Sequence, residues 1–182
     1  MSSARRVVDL LQILAGFERR ALELYRHFAE QFAAHPAAGR IWRAMSDAEA
    51  GHFAVLRLAE DRLPPGGAAL EVSLGLDGND LNEWQARIEE LDEKGRRPGL
   101  GPGDAAEVTL AWEREELPRL LTLLAALPEA ARRATAAGLV QGAEEHLRCL
   151  EELLKAVGSD SLLPEVSRLK GSVARLKLLA AG

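Results

Sequence analysis

At 182 residues, 47% hydrophobic and 28% charged, the chain is long enough to bury one core without disulfide or metal staples. Its net charge of −5 sets up no broad basic field, which argues against a nucleic-acid partner because phosphate binding rests on clustered Lys and Arg. The single cysteine, Cys149, excludes an internal disulfide framework and a four-cysteine metal site within one chain, and a reducing cytoplasm is the expected compartment.

Richness in Ala, Leu, Glu and Arg favours helix over strand, so the expected class is all-α. In the N-terminal stretch Asp9 and Gln12 interrupt the apolar residues, which predicts an amphipathic helix and not a cleaved signal. From about Ala4 to Phe32, residues Val7, Leu10, Leu11, Leu14, Phe17, Ala21, Leu24, Tyr25 and Phe28 keep the 3.6-residue period of a long first helix. Pro36 suits the first turn of a second helix, marked by Ile41, Met45, Ala48, His52, Leu56 and Ala59 and stopped by Pro64-Pro65-Gly66-Gly67. Residues 63–103 then form a long crossover dense in turn signals, with a short helix over about 81–94 carrying Leu81, Trp84, Ile88 and Leu91.

A third long helix begins near Asp104, a candidate N-cap, and carries Leu110, Leu117, Leu120 and Leu124. Pro118 inside it predicts a kink, which either tunes a ligand angle or is an incidental bend. Pro128 opens a fourth helix through Leu139, Ala143, His146, Leu150 and Leu153 to a C-cap at Gly158. Short loops within each helix pair make the pairs antiparallel, and the long crossover joins two hairpins into a four-helix bundle over residues 1–158. The hairpins look like an imperfect repeat, with Phe17-Glu18-Arg19 echoed by Trp112-Glu113-Arg114 and His52 by His146. Residues 159–182 predict a further helix, rich in Arg168, Lys170, Arg175 and Lys177, whose Val166, Leu169, Val173 and Leu176 stripe packs on the bundle or on a partner subunit. No stretch approaches the ~20 apolar residues of a membrane span.

Several polar residues occupy the apolar stripes. Glu18 follows Leu14 by one turn, Glu49 and His52 lie between Met45 and Leu56, Glu113 lies between Leu110 and Leu117, and His146 lies between Ala143 and Leu150. Three glutamates converging on one core repel each other unless a cation neutralises them. Carboxylate and imidazole donors suit iron, manganese or zinc, and a set with few sulfurs favours iron or manganese. A lone Glu-x-x-His carries little weight; its coincidence with four separate helix stripes and the hairpin layout is what counts.

These residues resemble the rubrerythrin branch of the ferritin-like superfamily. Its pattern of Glu, Glu-x-x-His, Glu-x-x-Glu and Glu-x-x-His on successive helices matches Glu18, Glu49-Ala50-Gly51-His52, Glu113-Arg114-Glu115-Glu116 and His146. The resemblance implies two irons bridged by Glu49 and Glu113, with Glu116 and His52 as ligands exchanged with oxidation state, and Tyr25 as the tyrosine hydrogen-bonded near the metal. It implies an oxidoreductase reacting with peroxide or oxygen, assembled as a homodimer. Two positions depart from the pattern. Ala143 stands where a helix-4 glutamate belongs, and Leu120 and Leu121 replace a helix-3 tyrosine. Glu18, Glu49, His52 and Glu113 thus make an intact half-site, while Glu113, Glu116 and His146 make an eroded one. With no cysteine-rich module after helix 4, the electron donor is expected to be a separate protein. The competing readings are a turnover-free bundle with a structural or interaction role, its inward Glu paired with Arg19 or Arg114, and an iron-oxidising storage role. Glu116 lies in a charged run that faces water in the bland reading, and His27 and His35 read as surface residues.

Overall fold

The computed structural model describes residues 5–63, 71–72 and 78–181. The expected helix stop at Pro64 to Gly67, the start of the first helix at Ala4 and the side chain of Leu81 lie outside the described residues. Six α-helices follow one another: α1 (Val7–Gln31), α2 (Pro36–Asp61), α3 (Gly78–Gly95), α4 (Pro102–Ala126), α5 (Glu129–Ala156) and α6 (Leu163–Ala181). The described residues are therefore all-α apart from a two-residue antiparallel ladder, β1 (Arg5–Arg6) on β2 (Glu71–Val72), in which Arg5 pairs with Val72 and Arg6 with Glu71. Side-chain periodicity is blind to that ladder because backbone groups alone make it.

The short turn between α1 and α2 folds them into one antiparallel hairpin, and Leu127 and Pro128 do the same for α4 and α5. Around one core α1 packs on α2, α2 on α5, α5 on α4, and α4 back on α1. Crossover helix α3 lies over α4 and α1, burying Trp84, Ile88 and Leu91, with the Trp84 ring 4.3 Å from that of Phe17. At the loop end, Phe28, Phe32 and Trp42 form an aromatic cluster, and fully burying rings of this size stabilises the fold by about 1.5–3 kcal/mol each. The Trp42 indole N–H is satisfied by Thr109 Oγ1 at 3.1 Å.

The helix ends differ from the expected caps in one place. Gly101 is the N-cap of α4 with Pro102 at the first helical position, and Asp104 sits two residues further in, where its Oδ2 accepts the Gly101 N–H at 3.1 Å. An acid at that position serves the helix dipole as well as the cap. The α5 terminus matches its expectation closely. Gly158 takes φ +75°, its N–H donates to Lys155, and the Ser159 N–H reaches back to Leu154 at 2.8 Å, the paired bonds of a Schellman stop. Pro118 is exposed and is contained within α4.

Helix α6 resolves the alternatives for the C-terminal stripe: Val166, Leu169, Val173 and Leu176 are buried on α4 and α5 of the same chain. Its lysines face acidic residues of α5, with Lys170 and Lys177 each 2.6 Å from Glu151 and Glu144. No described helix is long and apolar enough to cross a membrane.

Candidate metal centre

The long helices of the bundle each deliver at least one polar side chain to the same depth of the core. Helix α1 supplies Glu18 and Tyr25, α2 supplies Glu49 and His52, α4 supplies Glu113 and Glu116, and α5 supplies His146. All seven are 7% exposed or less. Glu116 belongs with them: the charged run it sits in does not face water at this position, because the Trp112 indole N–H donates to its Oε2 at 3.0 Å from one turn earlier on α4. His35 is exposed at the start of α2 and His27 is half-buried against Phe28, both apart from the cluster.

The imidazoles lie among the carboxylates. His52 Nδ1 is 3.0 Å from Glu49 Oε2 and 3.3 Å from Glu18 Oε2. His146 Nδ1 is 3.3 Å from both Glu49 Oε1 and Glu113 Oε1, while its Nε2 lies 3.2 Å from the Met45 carbonyl, an acceptor that orients the ring with Nδ1 toward the acids. The two rings stand 5.1 Å apart. The Tyr25 hydroxyl donates to Glu113 Oε1 at 2.9 Å. Behind His52, a Cβ on Gly142 would overlap the Nε2 atom, so the ring occupies space that only glycine leaves open.

The charge balance is incomplete. Four carboxylates face two imidazoles, and among the described residues no Arg or Lys pairs with the acids. Arg19 is exposed and Arg114 turns outward to Glu165 at 2.8 Å, so the charge-paired structural reading lacks its proposed partners. Burial and the Glu18 charge push the Glu49 carboxyl well above the usual range, and burial with the Glu18 and Glu113 charges does the same to Glu116. Burial opposes ionisation of Glu18 too, but His52, Glu49 and His146 together outweigh it and hold its carboxyl below the usual range. For His146 burial favours the neutral ring, yet the Glu113 charge and the Met45 carbonyl raise it overall. Burial first and Glu113 second hold the Tyr25 hydroxyl protonated far into alkali.

Glu18 Oε2, Glu49 Oε1, His52 Nε2 and Glu116 Oε1 are buried without any hydrogen-bond partner. Unsatisfied buried acceptors cost about 1–3 kcal/mol each, more when charged, and so call for an explanation. Two triads bring their donor atoms within 4.8 Å of one another, Glu49 with His52 and His146, and Glu18 with Glu49 and Glu116. Glu49 is common to both. That grouping differs from the sequence-based one, in which Glu113 is shared as well and Glu116 stands with His146; here Tyr25 ties up one Glu113 oxygen and Trp112 directs Glu116 toward Glu18. Such oxygen and imidazole donors are able to hold a metal ion.

Trp112 and Gly142 escape a reading of the sequence. An indole on an apolar stripe reads as core and a helical glycine reads as a weak spot, and only the spacing of Trp112 from Glu116 hints at a bond. Comparison with family models, curated proteins and solved structures returns no match.

Proposed function

We propose that this protein is a non-haem metal protein of the ferritin-like kind, a rubrerythrin-like di-iron carboxylate oxidoreductase that reacts with peroxide or oxygen. The observation that carries the reading is the set of four buried glutamates, one or two from each of three helices, three of them with a bare oxygen and, among the described residues, with no Arg or Lys paired to them. A divalent or trivalent cation supplies the missing charge and the missing bonds at once. Glu18, Glu49, Glu113 and Glu116 with His52 and His146 would hold it, and Glu49 is common to both triads of converging donor atoms. Iron bound there supplies the redox electrons that reduce an oxidant.

The chain's own contributions follow from the geometry. The Met45 carbonyl orients His146, the Tyr25 hydroxyl holds one Glu113 oxygen, and burial keeps bulk water away from the donors. A site whose residues are this enclosed admits small oxidants and excludes bulky substrates. A homodimer, a cytoplasmic location and a separate protein as electron donor belong to the same reading.

The test is metal analysis after anaerobic iron(II) loading. The parent is expected to take up about two irons per chain, and Glu18→Ala and Glu49→Ala are expected to lose most of them. Equal uptake by the variants and the parent sinks the proposal. A second reading, a bundle with a structural or interaction role whose metal is never turned over, is favoured by Ala143, which leaves His146 as the α5 donor found among the described residues. Peroxide consumption by the iron-loaded chain with an artificial electron donor separates the two.

A further inference from the structure

Ala143 leaves the α5 turn with an imidazole and no carboxylate, yet the cluster still contains four glutamates and two histidines. That is the donor count of di-iron bundle sites built from two single glutamates and two Glu-x-x-His pairs. The fourth carboxylate here is Glu116, which comes from α4, three residues after Glu113. Glu116 shares the buried face of α4 with Trp112, Glu113, Leu117 and Leu120, and one contact in the structure fixes how its carboxylate points. Trp112 is fully buried one turn earlier, and its Nε1–H donates to Glu116 Oε2 at 3.0 Å, leaving Oε1 buried and without a partner. A Glu116 oxygen lies within 4.8 Å of donor atoms of Glu18 and Glu49.

We infer that Trp112 is a positioning residue that fixes Glu116 as the fourth carboxylate of the metal site, in place of the one Ala143 lacks; this rests on the metal reading above. An indole has the right chemistry for that role, since Nε1–H donates only, has no acceptor lone pair to compete for the metal, and adds no positive charge that would repel it. Bound to one oxygen, it leaves the other oxygen and most of the negative charge to the ion. The same chain carries its own control in Trp42, equally buried, whose N–H ends on Thr109; that hydroxyl in turn donates to the Ala105 carbonyl and holds no metal donor in place.

The experiment uses zinc(II) as the probe with the full chain and measures affinity by calorimetry in the parent, Trp112→Phe, Trp42→Phe, Glu116→Ala and the Trp112→Phe/Glu116→Ala double variant. Trp112→Phe is expected to weaken zinc binding about 10- to 100-fold, while Trp42→Phe lowers the melting temperature and leaves the affinity alone. On the Glu116→Ala background, Trp112→Phe should add no further loss, since the indole acts through that carboxylate. In the parent, zinc should shift the Trp112 indole N–H resonance and leave that of Trp42 in place, a readout that survives even if Trp112→Phe does not fold. Unchanged affinity in Trp112→Phe, a further loss on the Glu116→Ala background, or an unmoved Trp112 resonance overturns the inference and leaves the metal reading standing. A parent that binds no zinc, and takes up no iron(II) either, overturns both.

Discussion

Gly142 shows how much a single missing side chain decides. The His52 ring fills the space beside its Cα, and the ring nitrogen that faces α5 has no hydrogen-bond partner. Gly142→Ala forces that ring away from Glu49 and Glu18, so metal affinity is expected to fall about 10- to 100-fold. Alanine is also the better helix former by about 1 kcal/mol, which makes loss of metal without loss of helix the distinguishing result of a titration paired with a thermal melt. Parent-like affinity would show that His52 is not a ligand. At this scale the buried polar cluster was legible, because Glu18, Glu49, His52, Glu113 and His146 interrupt apolar stripes and a polar residue there needs a partner. Glu116 was the ambiguous one. Its neighbours Arg114 and Glu115 face outward or lie half-buried, while Trp112, Glu113, Leu117 and Leu120 share its buried face and the bond from Trp112 fixes its carboxylate.

At the scale of elements, the helices are legible wherever the apolar period is unbroken, and their ends are legible where a residue has one conformational use. Gly158 is such a residue: its φ of +75° completes the Schellman stop of α5 and turns the chain toward α6. Gly158→Ala places a Cβ in that left-handed conformation at a cost of about 1–2 kcal/mol, expected as a fall of about 2–8 °C in melting temperature. No change on melting would mean the turn relaxes to another conformation. Asp104 was harder to place because an acid serves equally as N-cap or as a first-turn partner of the cap, and Pro102 is what decides, since it occupies the first helical position. The Arg5–Arg6 ladder with Glu71–Val72 left no trace in hydropathy at all.

For the whole molecule, the buried cluster makes stability depend on pH in a direction opposite to that of surface ion pairs. Glu49 and Glu116 are raised in the folded chain, so their contribution is complete below the unfolded value of about 4.3 and is lost as pH rises through the folded values. His146 is raised as well, and its contribution is present below about 6.5 and lost as pH climbs past its folded value. Glu18 is lowered, so its contribution is lost only on acidification below the ordinary carboxylate range. Between pH 5 and pH 8, therefore, the metal-free chain is expected to lose melting temperature as pH rises. The metal-loaded chain is expected to gain it, because bound metal requires the deprotonated donors and stabilises by mass action. Parallel profiles with chelator and with metal would contradict the assignment of these acids to one metal site.

The division of the donors between the hairpins bears on how the chain reaches its final state. Contacts within α1–α2 and within α4–α5 are close in sequence, whereas Glu18, Glu49 and His52 meet Glu113, Glu116 and His146 only across the two hairpins. Closing the hairpins on each other brings Glu113 and Glu116 to the pair Glu18 and Glu49 that the first hairpin already holds. The hydrophobic faces favour that closure and the acids resist it, so on the proposed metal reading an ion held between the hairpins would act as a clasp, and the metal supply would set how firmly the two halves of the molecule stay shut.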